Sequence, residues 1–149
     1  MSVATAAVAW QNIVRRMTPR IIFEDAYVTA TMEDDAGLLH YVRSATAYPS
    51  IELVRVEHQR MVNALASLEP GKLGLLIDVR AAPPRNDEAF ETEMTRAVGT
   101  LLGHFRAHAF LVKTAVGSLQ VRRLSASGGA PPGNVFSDEA AARAFLTAR

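Results

Sequence analysis

The apolar run at residues 73–79, LGLLIDV, limits the possible folds of this chain more than any other feature of its sequence. A strand that is apolar on both sides is typical of a parallel sheet covered by helices on its two faces. The run is far shorter than the roughly 20 apolar residues of a membrane-spanning helix, and no other run in the sequence approaches that length. The sequence therefore predicts a buried central strand of an α/β domain and no membrane span.

Strand and helix patterns alternate on both sides of this run. Three strand patterns, RIIFED, AYVTATMED and LLHYVRS, precede it, and an amphipathic helix at 51–68 follows them with Ser50 as its N-cap. After the run come a helix capped by Asn86, the strand AHAFLVK, a short helix AVGSLQVRRL, the short strand NVF and a last helix capped by Ser137. The order βββαβαβαβα predicts an α/β fold with a mixed, mostly parallel sheet flanked by helices.

The first residues of the chain carry a separate helical pattern. The apolar residues Val3, Ala7, Trp10, Val14 and Met17 are spaced 4, 3, 4 and 3 apart. As a helix they form one stripe, which ends before Pro19. We therefore expect an N-terminal helical extension, residues 1–19, and a domain, residues 20–149. The segment can pack on its own domain, remain a partly disordered tail, or form a homo-oligomer with a second copy through Trp10 and Val14. A polar face that is not rich in lysine disfavours a membrane surface.

Composition excludes several classes of function. The formal net charge is +1, which provides no strong field for nucleic acid, and Arg122-Arg123 is too short a basic run to bind it. The chain has no cysteine, so disulfides, thiolate metal sites and thiol catalysis are excluded. An absence of cysteine also fits a reducing cytoplasm, which is the compartment we expect.

Catalytic and metal-binding motifs are missing from the sequence. The four histidines are His40, His58, His104 and His108. Only His104 and His108 have the spacing of two ligands on one helix, and that pair crosses a predicted helix end. There is no P-loop, GxGxxG or GxSxG motif. We expect no metal, no cofactor and no enzymatic activity.

A candidate binding surface lies where two predicted strands end. In open α/β sheets, ligands collect beyond the carboxyl ends of parallel strands. The candidate partner-binding residues there are Arg80, Arg85, Asn86, Asp87, Lys113 and Thr114. Two other interpretations stay open. The residues can be structural, with Asn86 and Thr114 as helix caps and Asp78 paired with Arg80 or Lys113. They can also bind a small anion at the helix N-terminus.

The domain resembles STAS-like domains, the SpoIIAA-like group of bacterial anti-sigma-factor antagonists that is often described together with SEC14-like domains. The resemblance covers about 130 of the 149 residues. It lies in the element order and in the segments LGLLIDVRAAPPRNDEAFE, AFLVKTAVGSLQVRRL and VFSDEAAARAFL. It implies a STAS-like fold and a non-enzymatic protein whose partner is a signalling protein in a phosphorylation-controlled switch.

One departure from that family bears on function. The antagonists carry a phosphorylatable Ser or Thr at the start of the helix after a central strand. Here residues 79–90 contain no hydroxyl group of Ser or Thr. We therefore expect a non-catalytic protein-interaction or regulatory module that phosphorylation does not control at this position. The alternative is a small-molecule or lipid-binding domain, with a pocket between helices and sheet as in SEC14-like domains.

Overall fold

The computed structural model describes residues 2–85, 87–114, 119, 121 and 134–148. The α-helices of this part are α1 (Val3–Met17), α2 (Ile51–Leu65), α3 (Glu88–Leu102) and α4 (Glu139–Thr147). Its strands are β1 (Arg20–Glu24), β2 (Val28–Glu33), β3 (Leu38–Arg43), β4 (Gly74–Asp78), β5 (Ala107–Leu111) and β6 (Val135–Phe136). The predicted helix at 115–124 lies almost entirely outside these residues, and the loop at 125–133 lies wholly outside them. The α/β class is confirmed.

The six strands form one sheet in chain order, β1-β2-β3-β4-β5-β6. The pairs β1–β2 and β2–β3 are antiparallel, and the three later pairs are parallel, so the predicted mixed and mostly parallel sheet is confirmed. Asp78 at the end of β4 lies opposite Leu111 at the end of β5. Lys113 follows two residues later, which confirms that Asp78 and Lys113 lie at the same edge of the sheet.

Helices cover both faces of the sheet. Leu75 and Ile77 of β4 belong to the larger core, which packs under α2 and α3; we call this side the α2/α3 face. Leu76 lies on the other side, in a smaller core with Ala142 and Leu146 of α4; we call this side the α4 face. The alternation follows from the two-residue period of a strand. It explains why β4 is buried along its whole length.

Helix α1 does not bury its apolar stripe. It begins after Ser2, whose hydroxyl accepts a hydrogen bond from the Thr5 N–H at 3.2 Å. All its described side chains are exposed, including Trp10 at 65% and Val14 at 42%. Packing of the stripe on the domain, one of the alternatives, is therefore not what the structure shows. No helix among the described residues has the length and apolar character to cross a bilayer.

Helix α3 begins one residue later than the sequence predicts. Its N-cap is Asp87, whereas the predicted cap, Asn86, lies outside the described residues. The Asp87 side chain makes no capping hydrogen bond. Its carboxylate instead accepts hydrogen bonds from the Arg85 guanidinium, at 2.7 and 3.3 Å. The Asp87 carboxylate therefore binds the Arg85 guanidinium instead of capping the first N–H groups of α3.

The same one-residue error occurs at the last helix. The predicted cap, Ser137, is wrong, because Asp138 is the N-cap of α4 and accepts a hydrogen bond from the Ala141 N–H at 3.0 Å. The cap of α2 is predicted correctly, since the Ser50 hydroxyl accepts from the Leu53 N–H at 3.2 Å. Serine and aspartate are equally good N-caps, so adjacent candidates cannot be ranked from sequence.

Candidate functional site

A cavity of about 500 Å³ lies between α3 and the α2/α3 face, at the edge where β3, β4 and β5 end. We call it the binding cavity. Its apolar wall includes Ile77 of β4, Phe110 of β5, and Phe90, Met94, Val98 and Leu101 of α3. The volume falls within the ~300–1,000 Å³ range of small-molecule sites in proteins. Its place at the carboxyl ends of parallel strands is where α/β sheets bind ligands.

The loop after β4 forms one rim of the binding cavity. Pro83 and Pro84 line the cavity, and their rings restrict the conformations of this loop. Arg85 then fastens the loop to α3 and to the chain before α2. Its guanidinium lies 4.4 Å from the Phe90 ring centroid and donates to the Tyr48 carbonyl oxygen at 3.0 Å. Arg85 thus holds the entrance in place with contacts inside the protein.

Among the described residues, three cations and no carboxylates line the binding cavity. Arg43 is buried; it donates to the carbonyl oxygens of Tyr27 and Thr46, at 2.6 and 3.3 Å, and its guanidinium stacks on an aromatic ring. Arg80 is exposed and pairs with Asp78 at 2.7 Å. The predicted structural pairing of Asp78 with Arg80 is therefore present.

Lys113 is the third cation, and it differs from the two arginines. It follows β5, is exposed, and lies at the mouth of the binding cavity with Thr114. Within the described part of the chain, its ammonium group has no hydrogen-bond or ion-pair partner. The cavity therefore has one cation at its mouth that remains available to a ligand.

A buried carboxyl group lies next to the binding cavity. Glu57 of α2 is 4% exposed, and the Tyr48 hydroxyl donates a hydrogen bond to its Oε1. Its Oε2 is buried and meets no hydrogen-bond donor in the described part of the chain. Glu57 also lines a second cavity of about 30 Å³, with room for about one water molecule. Tyr41 and three α3 residues of the binding cavity line this second cavity as well.

Glu57 forms an acid pair with Asp25. Burial, together with hydrogen bonding to Asp25, raises the pKa of the Glu57 carboxyl to about 8. Burial opposes ionisation of Asp25 too, but hydrogen bonds from Glu57 and from the N–H groups of Tyr27 and Val28 lower the pKa of Asp25. The environment thus separates the two pKa values, and near neutral pH Glu57 holds the proton that the pair shares.

The α4 face carries a cluster of the residue types that bind metal ions. Ligand atoms of His40, Asp78 and Glu139 lie within 4.8 Å of one another. Two guanidinium groups already occupy the carboxylates. Arg80 lies 2.7 Å from Asp78 and 3.2 Å from Glu139, and Arg143 lies 3.1 Å from Glu139. Repulsion by these two cations disfavours a further cation, so the cluster is best described as an ion-pair network.

His40 lies inside this network as a neutral group. Its Nε2 is 3.9 Å from Asp78, and its Nδ1 is 3.8 Å from Glu33. Burial and the positive charge of Arg143 nevertheless lower the pKa of His40. Arg143 also binds both carboxylate oxygens of Glu33, at 2.9 and 3.1 Å, which ties α4 to β2. The network therefore fixes α4 on the sheet.

The predicted site residues fall into three groups. Arg80, Lys113 and Thr114 line the binding cavity, so the structure brings these three together. Arg85 and Asp87 lie beside its rim and bind each other. Asn86 lies outside the described residues. The predicted oligomerisation residues, on α1, line a shallow groove of about 560 Å³ with Pro19 and Arg20.

Sequence reasoning missed the buried polar residues beside the cavity. Glu57 lies three residues after Val54 and four before Met61, and therefore on the apolar stripe of α2. A carboxylic acid on such a stripe is the signal that could have identified it. Arg43 offers a similar signal, because it lies on the same inward side of β3 as Leu39 and Tyr41, at the two-residue spacing of a strand.

Comparison with known proteins finds no relative of this chain. No family model, no curated protein and no solved structure matches the chain. The resemblance to STAS-like domains therefore stays a prediction from the sequence.

Proposed function

We propose that this protein is a non-catalytic binding module that takes up a small apolar or amphipathic molecule in the binding cavity. One observation carries the proposal: a cavity of about 500 Å³ with a largely apolar wall at the strand ends. Protein interiors pack about as densely as organic crystals, whereas the apolar side chains of this open cavity lack such contacts on the side that faces the cavity. A ligand of matching size regains those contacts and removes apolar surface from water, at roughly 25 cal/mol per Å².

The regulatory part of the proposal follows from the position of the cavity. The loop after β4 forms one rim, and the same loop carries the predicted partner-binding residues Arg80, Arg85 and Asp87. A ligand at this rim contacts the loop that a protein partner would contact. We therefore propose that ligand occupancy changes how the module binds a cytoplasmic signalling protein. The absence of catalytic motifs from the sequence supports a role in binding rather than catalysis.

Native mass spectrometry of freshly purified protein tests the proposal. We expect an added mass that disappears on denaturation and is identified in the released fraction. Val98→Phe fills the cavity from α3, so this variant should lose the added mass. Val56→Phe makes the same change at an exposed position of α2 and should keep it. An apo mass for the wild type, or equal retention by the two variants, would contradict the proposal.

A second role, in self-association, is favoured by α1. Its apolar stripe is fully formed as a helix, and large side chains such as Trp10 remain mostly exposed. Helices of this length are marginal in water by themselves, because few residues share the cost of nucleation. The 4-3-4-3 spacing is that of a helix pair, and pairing with a second copy would bury the stripe. We propose that α1 contributes to a homo-oligomer in this way.

Sedimentation velocity tests the role of α1. The double variant Trp10→Ala and Val14→Ala should shift the protein towards the monomer. The matched control, Thr5→Ala and Asn12→Ala, changes the opposite side of the helix and should not. A mass for the first variant equal to that of the wild type would exclude α1 as an assembly element.

A further inference from the structure

The charges around the binding cavity indicate which class of molecule it holds. We infer that the ligand is a single-chain amphipathic carboxylic acid, with its apolar chain inside the cavity and its carboxylate paired with Lys113 at the mouth. This inference rests on the function proposed above, because it requires that the cavity binds a small molecule. It adds the charge of the ligand and its orientation.

The lining is electrostatically one-sided. Its described residues include Arg43, Arg80 and Lys113 and no Asp or Glu. A cationic head group would therefore meet no carboxylate among these residues, whereas an anionic one would meet cations. Arg80 is itself paired with Asp78 and Glu139 of the ion-pair network on the α4 face. Arg43 and Lys113 are therefore the lining cations without a carboxylate partner in the described part of the chain. Charge complementarity thus selects an anion.

Lys113 is the cation with which we expect the carboxylate to pair. Arg80 already binds two carboxylates, Asp78 and Glu139. Arg43, at the end of β3, already donates to the backbone carbonyl groups of Tyr27 and Thr46. Lys113 has no hydrogen-bond or ion-pair partner among the described residues. Its flexible four-carbon side chain carries a point charge that can follow a ligand head group at the entrance.

The apolar wall sets the orientation of the chain. Phe90, Met94 and Leu101 follow the inner face of α3 away from the mouth, opposite Phe110 of β5. A straight alkyl chain entering past Lys113 would lie along this wall. Its methylene groups would each gain about 0.8 kcal/mol on leaving water, so the chain supplies most of the affinity and the carboxylate supplies selectivity.

Calorimetric titration with three ligands of equal chain length tests the inference. The probes are octanoate, octan-1-ol and octyltrimethylammonium, added below their aggregation concentrations to protein freed of bound molecules by refolding. Octanoate should bind most tightly, with an affinity about 5- to 10-fold above that of octan-1-ol, as expected for one charge-assisted contact at a partly hydrated mouth. The cationic probe should bind most weakly.

Two lysine variants locate the carboxylate. Lys113→Gln should remove the preference for octanoate over octan-1-ol. Lys72→Gln is the matched control, because Lys72 is the other lysine of the chain and lies at the opposite end of β4, paired with Glu69. The control should behave as the wild type with all three probes.

The outcomes separate this inference from the proposed function. Equal binding of octanoate and octan-1-ol by the wild type, or equal effects of the two lysine variants, would overturn the anionic ligand while binding in the cavity stands. Absence of binding by every probe, or full binding by Val98→Phe, would overturn the proposed function itself. Ala82→Leu fills the rim from the loop and serves as the blocking variant if Val98→Phe does not fold.

Discussion

Each side of the sheet offers a buried carboxyl group for comparison, Glu57 and Asp78, and these two groups have opposite ionisation states. Glu57, on the α2/α3 face, is 4% exposed, and its pKa is raised to about 8. Asp78, on the α4 face, is 6% exposed, yet its pKa is lowered. Burial opposes the charge of both groups, so burial cannot explain the difference.

The neighbours of the two groups explain it. Asp78 receives a bidentate guanidinium from Arg80, at 3.0 and 2.7 Å, and the Arg80 backbone N–H at 3.0 Å. Glu57 receives one tyrosine hydroxyl and lies beside another carboxyl group, that of Asp25. Asp78 is therefore held ionised by an ion-pair network, whereas Glu57 remains a neutral acid beside an open cavity.

Packing should show the largest difference between the faces. Leu76→Ala on the α4 face removes a side chain that is fully buried against α4. We expect a loss of about 3 kcal/mol in the free energy of unfolding, because a cavity is created in a dense core. Met94→Ala enlarges an existing cavity and should cost only about 1 kcal/mol. Urea denaturation measures both values, and equal losses would mean that the binding cavity is as densely packed as the opposite core.

The ion pair between Asp78 and Arg80 on the α4 face should have the next largest effect on the free energy of unfolding. Asp78→Asn preserves the shape of the side chain and removes the charge that Arg80 binds. We expect a loss of about 2 kcal/mol, less than for a fully buried pair because Arg80 is partly exposed and can be solvated. Asp35→Asn changes an exposed carboxylate and should have almost no effect. Equal stability of the two variants in urea would show that the network does not hold α4.

The sequence predicts the framework of both faces but not the difference between them. Near-continuous apolar residues in β4 indicate a strand covered on both sides, and this is observed. Whether a helix then packs closely or leaves a cavity depends on the distance between α3 and the sheet, which no residue pattern specifies. Glu57 shows the same limit, because its neutral state depends on Asp25 and Tyr48, which are distant in sequence and adjacent only after folding.

Proton binding distinguishes the two acids at moderate pH. The folded pKa of Glu57, about 8, exceeds its ordinary value of 4.5, so the folded state binds this proton more tightly than the unfolded chain. The free energy of unfolding should therefore fall as pH rises from 4.5 to 8, by at most about 1.4 kcal/mol per pH unit. Asp78 has a lowered pKa, so its contribution is lost only at acidic pH, below its ordinary value of 3.8.

Glu57→Gln isolates this proton. The glutamine amide N–H can replace the acid proton towards Asp25, and its carbonyl oxygen can still accept from Tyr48. Between pH 6.5 and 8 the variant should lose the downward slope of the wild type and become the more stable protein at pH 8. Measuring above pH 6.5 limits the contribution of histidines with lowered pKa, such as His40 and His58. Parallel stability profiles for variant and wild type would show that Glu57 is ionised in the folded protein.

The smallest change in stability is expected at the rim of the binding cavity, where the proposed partner surface lies. Arg80 is a poor probe of that surface, because removing it also leaves the buried Asp78 without its main partner. Arg85→Ala breaks an exposed bidentate pair with Asp87 and a contact with the Phe90 ring, which should lower the free energy of unfolding by about 1 kcal/mol or less.

Arg20→Ala is the matched control for Arg85→Ala. It breaks a similar exposed bidentate pair, with Asp34 at 3.0 and 3.3 Å, away from the cavity. If the rim is the partner surface, Arg85→Ala should lose a partner that wild type and Arg20→Ala both capture from the native lysate, because arginines with a rigid position are frequent binding hot spots. Equal capture by the two variants would place the interface elsewhere. In that case the contacts of Arg85 with Tyr48 and Phe90 would serve only to hold the cavity rim. Binding of a small molecule on the α2/α3 face would then not change how the protein binds a partner.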